Sequence, residues 1–442
     1  MSTKIQKVAV LGAGTMGSQI AGHLANAGIP SMLFDIKQEL AESGLKKLTD
    51  LKPAPLFNPK DNNMIEPCNY EEHIQKIKDA DWIMEAVAEK LEIKHAVYES
   101  IIEHIKDNAI LSSNTSGIPL DDLSSVLPVN LRSRFLITHF FNPPRYMRLL
   151  ELVKGPETSK KIYEQMAAFG EDILGKGIVH AKDTPNFIGN RIGVHGGNNA
   201  IKLAKKMNLT VEEVDKLTGT IIGRPKSGIF RTTDIVGIDV HAHVSGTSYD
   251  NLPNDEARQT LKAPSVLNKL IESGRLGQKT KSGFYKKTDK SILSINLETY
   301  EYGPMKKVRF DGYRLAKGYQ NTGERIKALY NSDDKAGKYF MEITSDSLIY
   351  SANRIPEISD DIVNIDNAMK WGYGWELGPF ETWDSIGVRA SIKTMKEKGK
   401  DIPSWVEYML ETGRENFYNF KNGIRYYWCP IDKQPKPIIQ RP

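Results

Sequence analysis

The chain of 442 residues has only two cysteines, Cys68 and Cys429, and they do not form a CxxC pair. A disulfide framework is therefore not expected, and the two thiols are predicted to be ordinary side chains in a reducing cytoplasm. No apolar run reaches the roughly 18–20 residues that cross a bilayer, so no membrane span is predicted. The sequence also lacks an HExxH motif and paired Cys/His spacings, and we expect no metal site.

The chain has no large excess of charge of either sign. Its 60 basic and 55 acidic residues leave a net charge of +5, whereas a sequence-independent nucleic-acid binder needs a concentrated basic face. We therefore predict no nucleic-acid partner. Hydrophobic residues at 40% and charged residues at 26% are ordinary for a globular protein, and the length predicts two or three domains.

A glycine-rich motif follows the first apolar run of the sequence. Residues 7–11 read as a buried parallel strand, and residues 12–17 have the sequence GAGTMG, which matches GxGxxG. Apolar residues at helical spacing follow, and a second apolar run ends at Asp35. This order of strand, glycines, helix, strand and acidic residue is the pattern of a dinucleotide-binding βαβ unit.

Each residue type in this motif has a physical role. Gly12 permits the tight turn, Gly14 lets the backbone approach a pyrophosphate, and Gly17 lets helix and strand pack closely. Met16, in the same loop, is also expected to contact the cofactor. Asp35 can accept from ribose hydroxyls and would repel a 2′-phosphate, so the sequence predicts NAD rather than NADP. The alternatives are FAD or a glycine turn with a structural role only.

Polar residues lie at the ends of two later apolar runs, residues 109–114 and 135–141, which are predicted to be strands of the same sheet. Asn114, Ser116 and His139 lie at the ends of these runs or just beyond them, where functional residues of open α/β sheets gather. A histidine can take the proton of an alcohol, and His139 is the best candidate among nine. Glu151, on the next predicted strand, could orient its ring. The alternative is a structural histidine and a surface glutamate.

Together the motifs resemble the 3-hydroxyacyl-CoA dehydrogenase family, in order along most of the chain. The residues that carry the resemblance are the glycine loop 12–17, Asp35, Glu85–Glu89 with Lys94, Ser113–Ser116, His139–Pro143 and Asp183–Arg191. One departure is Asn186, which stands where the family usually has glycine. Asparagine is the next best residue at a positive φ.

The resemblance implies a role for each candidate residue. His139 would be the general base, Glu151 its orienting partner, and Ser116 a hydrogen-bond donor to the substrate oxygen. Asn190 would help position the acyl group from the second domain.

Further residues are implied to bind the cofactor. Glu89 and Lys94 resemble the family positions beside the nicotinamide ribose, although they could also be ordinary surface charges. Asn114 is either a supporting polar group or a turn residue.

The implied reaction is the NAD-dependent oxidation of an (S)-3-hydroxyacyl-CoA to the 3-oxoacyl-CoA in fatty-acid β-oxidation. The expected partners are the acyl-CoA substrate and a fused or separate enoyl-CoA hydratase and thiolase. Two alternatives remain open at this point. One is a dehydrogenase of the same fold that acts on a free hydroxy or sugar acid, and the other is a nucleotide-bound protein without catalytic activity.

The second half of the chain contains an internal repeat. Residues 230–237 and 380–387 share a phenylalanine, an aspartate four residues later and a glycine three residues after that. Two related helical copies are the simplest interpretation. A second copy within one chain could replace the partner subunit of short family members, so we expect a monomer or a weak dimer.

The predicted fold class is an α/β Rossmann domain followed by all-α C-terminal domains. The NAD-binding domain is expected over residues 1–183 and the helical C-terminal domain over residues 184–290. Residues 291–334 are polar and predict a linker or arm, and residues 335–442 predict the second, degenerate helical copy with a proline-rich tail.

Overall fold

The computed structural model describes residues 4–439, which divide between Phe187 and Ile188 into two units. The first unit is built on one eight-stranded sheet in the order β3-β2-β1-β4-β5-β6-β7-β8. The strands are β1 (Val8–Leu11), β2 (Ser31–Asp35), β3 (Ile65–Asn69), β4 (Trp82–Glu85), β5 (Ile110–Ser113), β6 (Phe135–Phe140), β7 (Leu149–Lys154) and β8 (Gly177–Ala181). The helices are α1 (Thr15–Asn26), α2 (Gln38–Asp50), α3 (Tyr70–His73), α4 (Leu91–Ile101), α5 (Leu120–Ser124), α6 (Val129–Arg132) and α7 (Lys160–Asp172).

The strand order of this sheet reverses beside β1. The chain passes from β1 to β2 and β3 on one side and then returns to β4 on the other, so the carboxyl ends of β1 and β4 flank a crevice. β1 and β4 are buried on both faces, which explains their nearly continuous apolar sequence. The fold is therefore the Rossmann type that the glycine motif predicts.

Two strands of the first unit, β3 and β8, are not predicted from the sequence. β3 contains Pro67, which cannot donate a hydrogen bond and is tolerated because β3 is an edge strand. β8 forms the opposite edge and pairs in parallel with β7. β7 itself runs antiparallel to β6 and places Glu151 opposite His139 in the ladder.

The second unit is mainly helical. Its first part contains α8 (Gly189–Lys206), α9 (Val211–Leu217), α10 (Phe230–Val236), α11 (Ile238–Asn251), α12 (Arg258–Leu261), α13 (Ser265–Glu272), β9 (Tyr285–Lys287), β10 (Ile292–Ile295) and β11 (Tyr302–Pro304). Its second part contains α14 (Asp311–Lys317), α15 (Thr322–Tyr330), α16 (Lys335–Asn353), α17 (Ile362–Tyr373), α18 (Pro379–Ile386), α19 (Val388–Glu397), α20 (Ser404–Glu411), β12 (Tyr418–Lys421), β13 (Ile424–Cys429) and β14 (Gln434–Pro437). No helix within residues 4–439 is long and apolar enough to cross a membrane.

Two aspartates, Asp215 and Asp234, hold the first helical copy together. Asp215 on α9 accepts hydrogen bonds from the backbone N–H groups of Phe230 (2.7 Å) and Arg231 (3.0 Å) at the start of α10. It also accepts from the Tyr285 hydroxyl at 2.7 Å. Asp234, near the end of α10, accepts from the backbone N–H of Tyr285 at 2.8 Å. These contacts tie two helices to the first small sheet.

The second copy repeats this arrangement. Asp366 on α17 accepts from the backbone N–H groups of Phe380 (2.8 Å) and Glu381 (3.2 Å) and from the Tyr418 hydroxyl at 2.8 Å. Asp384 on α18 accepts from the backbone N–H of Tyr418 at 2.9 Å. The sequence repeat thus corresponds to two structural copies with the same hydrogen-bonded framework.

Equivalent parts of the two copies contact each other. Gly223 and Gly374 end corresponding turns at φ 68° and 67°, and the next residue of the first turn, Arg224, stacks 3.5 Å from the ring centroid of its counterpart Trp375. The backbone N–H of Glu376 donates to the Gly223 carbonyl at 2.7 Å. The long helices α8 and α16 also pack together. Such like-with-like contacts resemble an isologous dimer interface built within one chain.

The segment at residues 291–334, predicted to be a linker or arm, is folded. This segment contains β10, β11, α14 and α15, and Ile326, Leu329 and Tyr330 on α15 are buried. Its few apolar residues are separated by charged ones, so its composition resembles that of a loop although one helix face is covered. The proline-rich tail also has structure, because β14 carries Pro435 and Pro437 on the edge of a sheet. Neither small sheet is predicted by the sequence.

Candidate active site

The glycine loop connects β1 to α1. Gly12 has φ +104°, and a Cβ there would lie 2.7 Å from the Ala86 carbonyl oxygen. A Cβ on Gly17 would lie 1.8 Å from the Gly12 carbonyl oxygen, so both positions require glycine for reasons internal to the protein. Met16 is partly buried against the core of the unit.

Gly14 differs from these two glycines. A Cβ at this position would meet no protein atom within 4 Å, so packing does not explain the glycine. Gly14 caps the N-terminus of α1, whose first N–H groups and dipole favour an anion. An approaching pyrophosphate would need the space that a side chain would fill, and the loop therefore fits a dinucleotide.

Asp35 lies at the carboxyl end of β2, beside the glycine loop. Its Oδ2 accepts from the Ala13 N–H at 2.8 Å, and its Oδ1 accepts from the Ile36 N–H at 2.8 Å. These bonds orient the carboxylate at the crevice edge, and each oxygen keeps a second lone pair that can accept from a ribose hydroxyl.

A buried ion pair follows β4. The Lys94 ammonium group lies 2.7 Å from Glu85 Oε1 and 3.1 Å from Glu89 Oε2. The Lys94 side chain is 1% exposed and the Glu85 side chain is 0% exposed. The alternative that Lys94 is a surface charge is therefore wrong, because a buried lysine requires such partners.

Glu89 connects this ion pair to the loop after β5. Its Oε1 accepts from the Thr115 hydroxyl at 2.5 Å and from the Ser116 N–H at 2.8 Å. Burial alone would raise the pKa of Glu89, but the Lys94 charge and these two hydrogen bonds outweigh it and lower the pKa. Glu89 therefore stays ionised and holds the backbone that carries Ser116.

Glu85 begins the motif at residues 85–89, but no role is predicted for it from the sequence. Its carboxylate accepts from the Tyr98 hydroxyl at 2.9 Å, the Ser113 hydroxyl at 2.6 Å and the Val87 N–H at 2.8 Å. It thereby joins β4, β5 and α4. A glutamate at the end of an otherwise apolar buried strand was the signal that could have identified it.

His139 and Glu151 form a buried pair across β6 and β7. His139 Nδ1 lies 2.7 Å from Glu151 Oε2, and the Glu151 side chain is fully buried. A hydrogen bond to the carboxylate places a proton on Nδ1, so Nε2 carries the lone pair in the neutral ring. This is the tautomer that a general base requires.

Neighbouring groups hold the His139 ring and the end of β6. The ring contacts Phe141 edge-on at 4.8 Å and Phe187 at 5.6 Å between ring centroids. Asn114 Oδ1 accepts from the Phe140 N–H at 2.9 Å, which ties the loop after β5 to the end of β6. Asn114 is thus bonded across two strands rather than confined to its own turn.

Lys176 was also missed. It is buried and donates to the carbonyl oxygens of Pro144 and Met147 in the loop between β6 and β7, the second at 2.9 Å. Burial lowers the pKa of Lys176 to about 7. A single lysine between Gly175 and Gly177 gives no sequence signal for this role, which depends on the return of the chain to β8.

The segment at residues 183–191 contains the departure from the family pattern. Asn186 has φ 65° and Phe187 has φ 48°, so the asparagine adopts the left-handed conformation that glycine would favour. Asn190 belongs to the second unit, near the start of α8, where its Oδ1 accepts from the Tyr373 hydroxyl at 3.1 Å. The other predicted residues all lie in the first unit.

Comparison with known proteins identifies the family of both units. The family model described as "3-hydroxyacyl-CoA dehydrogenase, NAD binding domain" matches residues 7–184, and the one described as "3-hydroxyacyl-CoA dehydrogenase, C-terminal domain" matches residues 187–287. A probable 3-hydroxyacyl-CoA dehydrogenase of Deinococcus radiodurans is 41% identical over 64% of this chain and 84% of its own length. The chain belongs to the 3-hydroxyacyl-CoA dehydrogenase family.

Two longer relatives are similar to this chain over nearly its whole length, including the second helical copy. A probable 3-hydroxyacyl-CoA dehydrogenase of Bacillus subtilis is 44% identical over 97% of the chain and 57% of its own length. A putative fatty acid oxidation complex trifunctional enzyme of Rickettsia felis is 38% identical over 89% of the chain and 56% of its own length. The chain therefore spans just over half the length of these relatives.

The fold of both helical copies also occurs in a solved structure. The crystal structure of 3-hydroxybutyryl-CoA dehydrogenase from Escherichia coli aligns with 93% of this chain and 99% of its own chain at a TM-score of 0.70. The sequence identity is 21%, so this likeness concerns the fold alone.

Proposed function

We propose that the chain oxidises (S)-3-hydroxyacyl-CoA to 3-oxoacyl-CoA with NAD, and that His139 is the general base. The observation that carries this proposal is the 2.7 Å pair between His139 Nδ1 and Glu151 Oε2. Among the nine histidines of the chain, His139 pairs with a buried carboxylate at the carboxyl end of a sheet strand, in a Rossmann unit.

The proposed mechanism assigns proton transfer to His139. Nε2 takes the proton of the substrate hydroxyl, and the charge that develops on the ring is stabilised by Glu151 through Nδ1. Bound NAD supplies the acceptor for the hydride that leaves the same carbon. Phe141 and Phe187 pack against the ring and restrict the access of water to it.

The remaining predicted residues are assigned binding roles. Ser116 donates to the substrate oxygen, and its backbone is held by Glu89. Lys94 and Glu89 are placed beside the nicotinamide ribose, and Asn114 supports the end of β6 near them. Gly12, Gly14, Met16 and Gly17 form the pyrophosphate loop, and Asp35 binds the adenosine ribose. Asn190 positions the acyl group.

The proposed metabolic setting is fatty-acid β-oxidation. The name of the Rickettsia felis relative, a fatty acid oxidation complex enzyme, supports this setting. A partner that hydrates enoyl-CoA would supply the substrate, and a thiolase would consume the product. Both partners are part of the proposal.

The test measures NADH oxidation with acetoacetyl-CoA and, separately, with free acetoacetate. We expect turnover of the thioester, and we expect His139→Gln to reduce kcat by about 10²–10⁴-fold because the proton acceptor is lost. The Kd for NADH should stay unchanged. His95→Gln is the matched control, since His95 lies on α4, where its ring bonds to the Asp122 carbonyl oxygen and the Ser125 hydroxyl at the end of α5.

Two results would contradict the proposal. Near-normal turnover by His139→Gln would remove this residue as the base. Faster turnover of free acetoacetate than of acetoacetyl-CoA would instead favour a dehydrogenase of free hydroxy acids.

A further inference from the structure

We infer that Tyr373, a residue of the second helical copy, positions the Asn190 side chain, so that the second copy takes part in binding the acyl substrate. The inference rests on the proposed function, in which Asn190 contacts the acyl group. The Tyr373 hydroxyl donates to Asn190 Oδ1 at 3.1 Å, across 183 residues of sequence. Tyr373 is the last residue of α17, and Asn190 is the second residue of α8.

A glycine on α8 makes room for this contact. A Cβ on Gly193 would lie 2.2 Å from the Tyr373 hydroxyl oxygen and 2.4 Å from its Cζ atom. Gly193 follows Asn190 by three residues and so lies on the same face of the helix. A glycine inside a helix is less favourable than alanine. Its presence here is explained by the Tyr373 ring.

The repeat does not itself require this hydroxyl. Thr210 and Asp361 cap corresponding helices, and Gly223 and Gly374 end the corresponding turns, so Tyr373 is equivalent to Ile222. Isoleucine has no hydrogen-bonding group. The framework shared by the two copies therefore forms with or without a hydroxyl at this position.

The hydrogen bond determines which side of the Asn190 amide faces a ligand. With Oδ1 held by the Tyr373 hydroxyl, Nδ2 keeps two N–H donors for other partners. A thioester or hydroxyl oxygen of the substrate can accept from them. Without Tyr373 the amide can turn over and present its oxygen instead, which would repel a substrate oxygen. Tyr373 is thus a positioning residue that acts through Asn190.

The experiment compares two tyrosine variants that each remove one hydroxyl bonded to α8. Tyr373→Phe removes the bond to Asn190, whereas Tyr339→Phe removes a bond of 2.9 Å to the Ala200 carbonyl oxygen. We expect Tyr373→Phe to lower kcat/KM for acetoacetyl-CoA about 3–10-fold, the value of one hydrogen bond. The Kd for NADH should not change. Tyr339→Phe, which touches the same interface, should keep kcat/KM within about twofold of wild type.

Two further variants separate positioning from general stability. Gly193→Ala displaces the Tyr373 ring and should reproduce the defect of Tyr373→Phe. In an Asn190→Ala background, Tyr373→Phe should cause no additional loss, because both changes remove the same interaction.

The outcomes distinguish this inference from the proposed function. If Asn190→Ala lowers kcat/KM but Tyr373→Phe does not, the inference is overturned and the proposed function stands. Equal losses for Tyr373→Phe and Tyr339→Phe would also overturn it, since they would indicate a general effect of the interface. A wild-type protein inactive on acetoacetyl-CoA would overturn both.

Discussion

The two helical copies share a framework but differ in what surrounds it. Asp215 and Asp366 each accept two backbone N–H groups and one tyrosine hydroxyl. Next to this framework, Ile222 of the first copy corresponds to Tyr373 of the second. Substitution of either aspartate would leave its N–H and hydroxyl donors without an acceptor, which lowers the stability of the folded chain. The framework residues therefore tolerate few substitutions. The surrounding positions carry no such requirement, and they can acquire separate roles.

Loss of a framework aspartate is the largest effect that we expect. Asp366→Ala leaves two N–H groups and the Tyr418 hydroxyl without an acceptor, and it should lower the free energy of unfolding by about 2–4 kcal/mol. Asp215→Ala should have a similar cost in the first copy. Denaturant unfolding followed by circular dichroism measures both.

The matched control is Asp401→Ala, which removes an exposed aspartate. Its cost should stay within about 0.5 kcal/mol. A negligible cost for Asp366→Ala beside a large cost for Asp215→Ala would show that only the first copy depends on this framework.

A pH dependence distinguishes another equivalent pair, Asp234 and Asp384. Burial raises the pKa of Asp234 to about 6 and that of Asp384 to about 7, although backbone N–H donors oppose this in both. Arg414 and Arg425 lower the pKa of Asp384 in part. An unfolded aspartate titrates near 3.9, so between about pH 4 and the folded pKa the folded chain binds the extra proton. The contribution of each aspartate to the free energy of unfolding therefore falls as the pH rises through that window.

Asparagine does not titrate, so the difference in stability between wild type and an Asp→Asn variant reports the pH dependence due to that one aspartate. The stability of wild type relative to Asp384→Asn should fall by about 2–4 kcal/mol between pH 4 and pH 8, since the folded pKa lies about three units above the unfolded one and one unit corresponds to about 1.4 kcal/mol. The fall should be smaller for Asp234→Asn and complete at a lower pH. Denaturant unfolding measured from pH 4 to pH 8 checks which aspartate makes stability more dependent on pH. A larger fall relative to Asp234→Asn than relative to Asp384→Asn would contradict the prediction.

The smallest expected effect concerns self-association. Because α16 and α17 of the same chain pack against α8, we predict a monomer or a weak dimer. The sedimentation coefficient should change little at micromolar concentrations. A tight dimer whose interface includes the second copy would contradict the view that this copy replaces a partner subunit.

Much of the first unit could be predicted because its requirements are local. Gly12 and Gly17 are constrained by close backbone contacts, and Asp35 ends a strand next to the loop. His139 and Glu151 are separated by 12 residues, and an antiparallel return of the chain suffices to pair them. Lys176 could not be found in this way, because its partners lie 32 and 29 residues earlier in the chain and no sequence pattern links them to it.

By itself the sequence determined the Rossmann unit, its dinucleotide loop, the family and the existence of a helical repeat. These follow from short motifs whose residues contact one another within one or two elements. Only the tertiary structure decided that residues 291–334 fold into strands and helices and that Lys94 is buried between two glutamates. It also decided that Tyr373 reaches Asn190 beside Gly193. Such contacts join residues far apart in the chain, and their energies depend on burial, which no local pattern encodes.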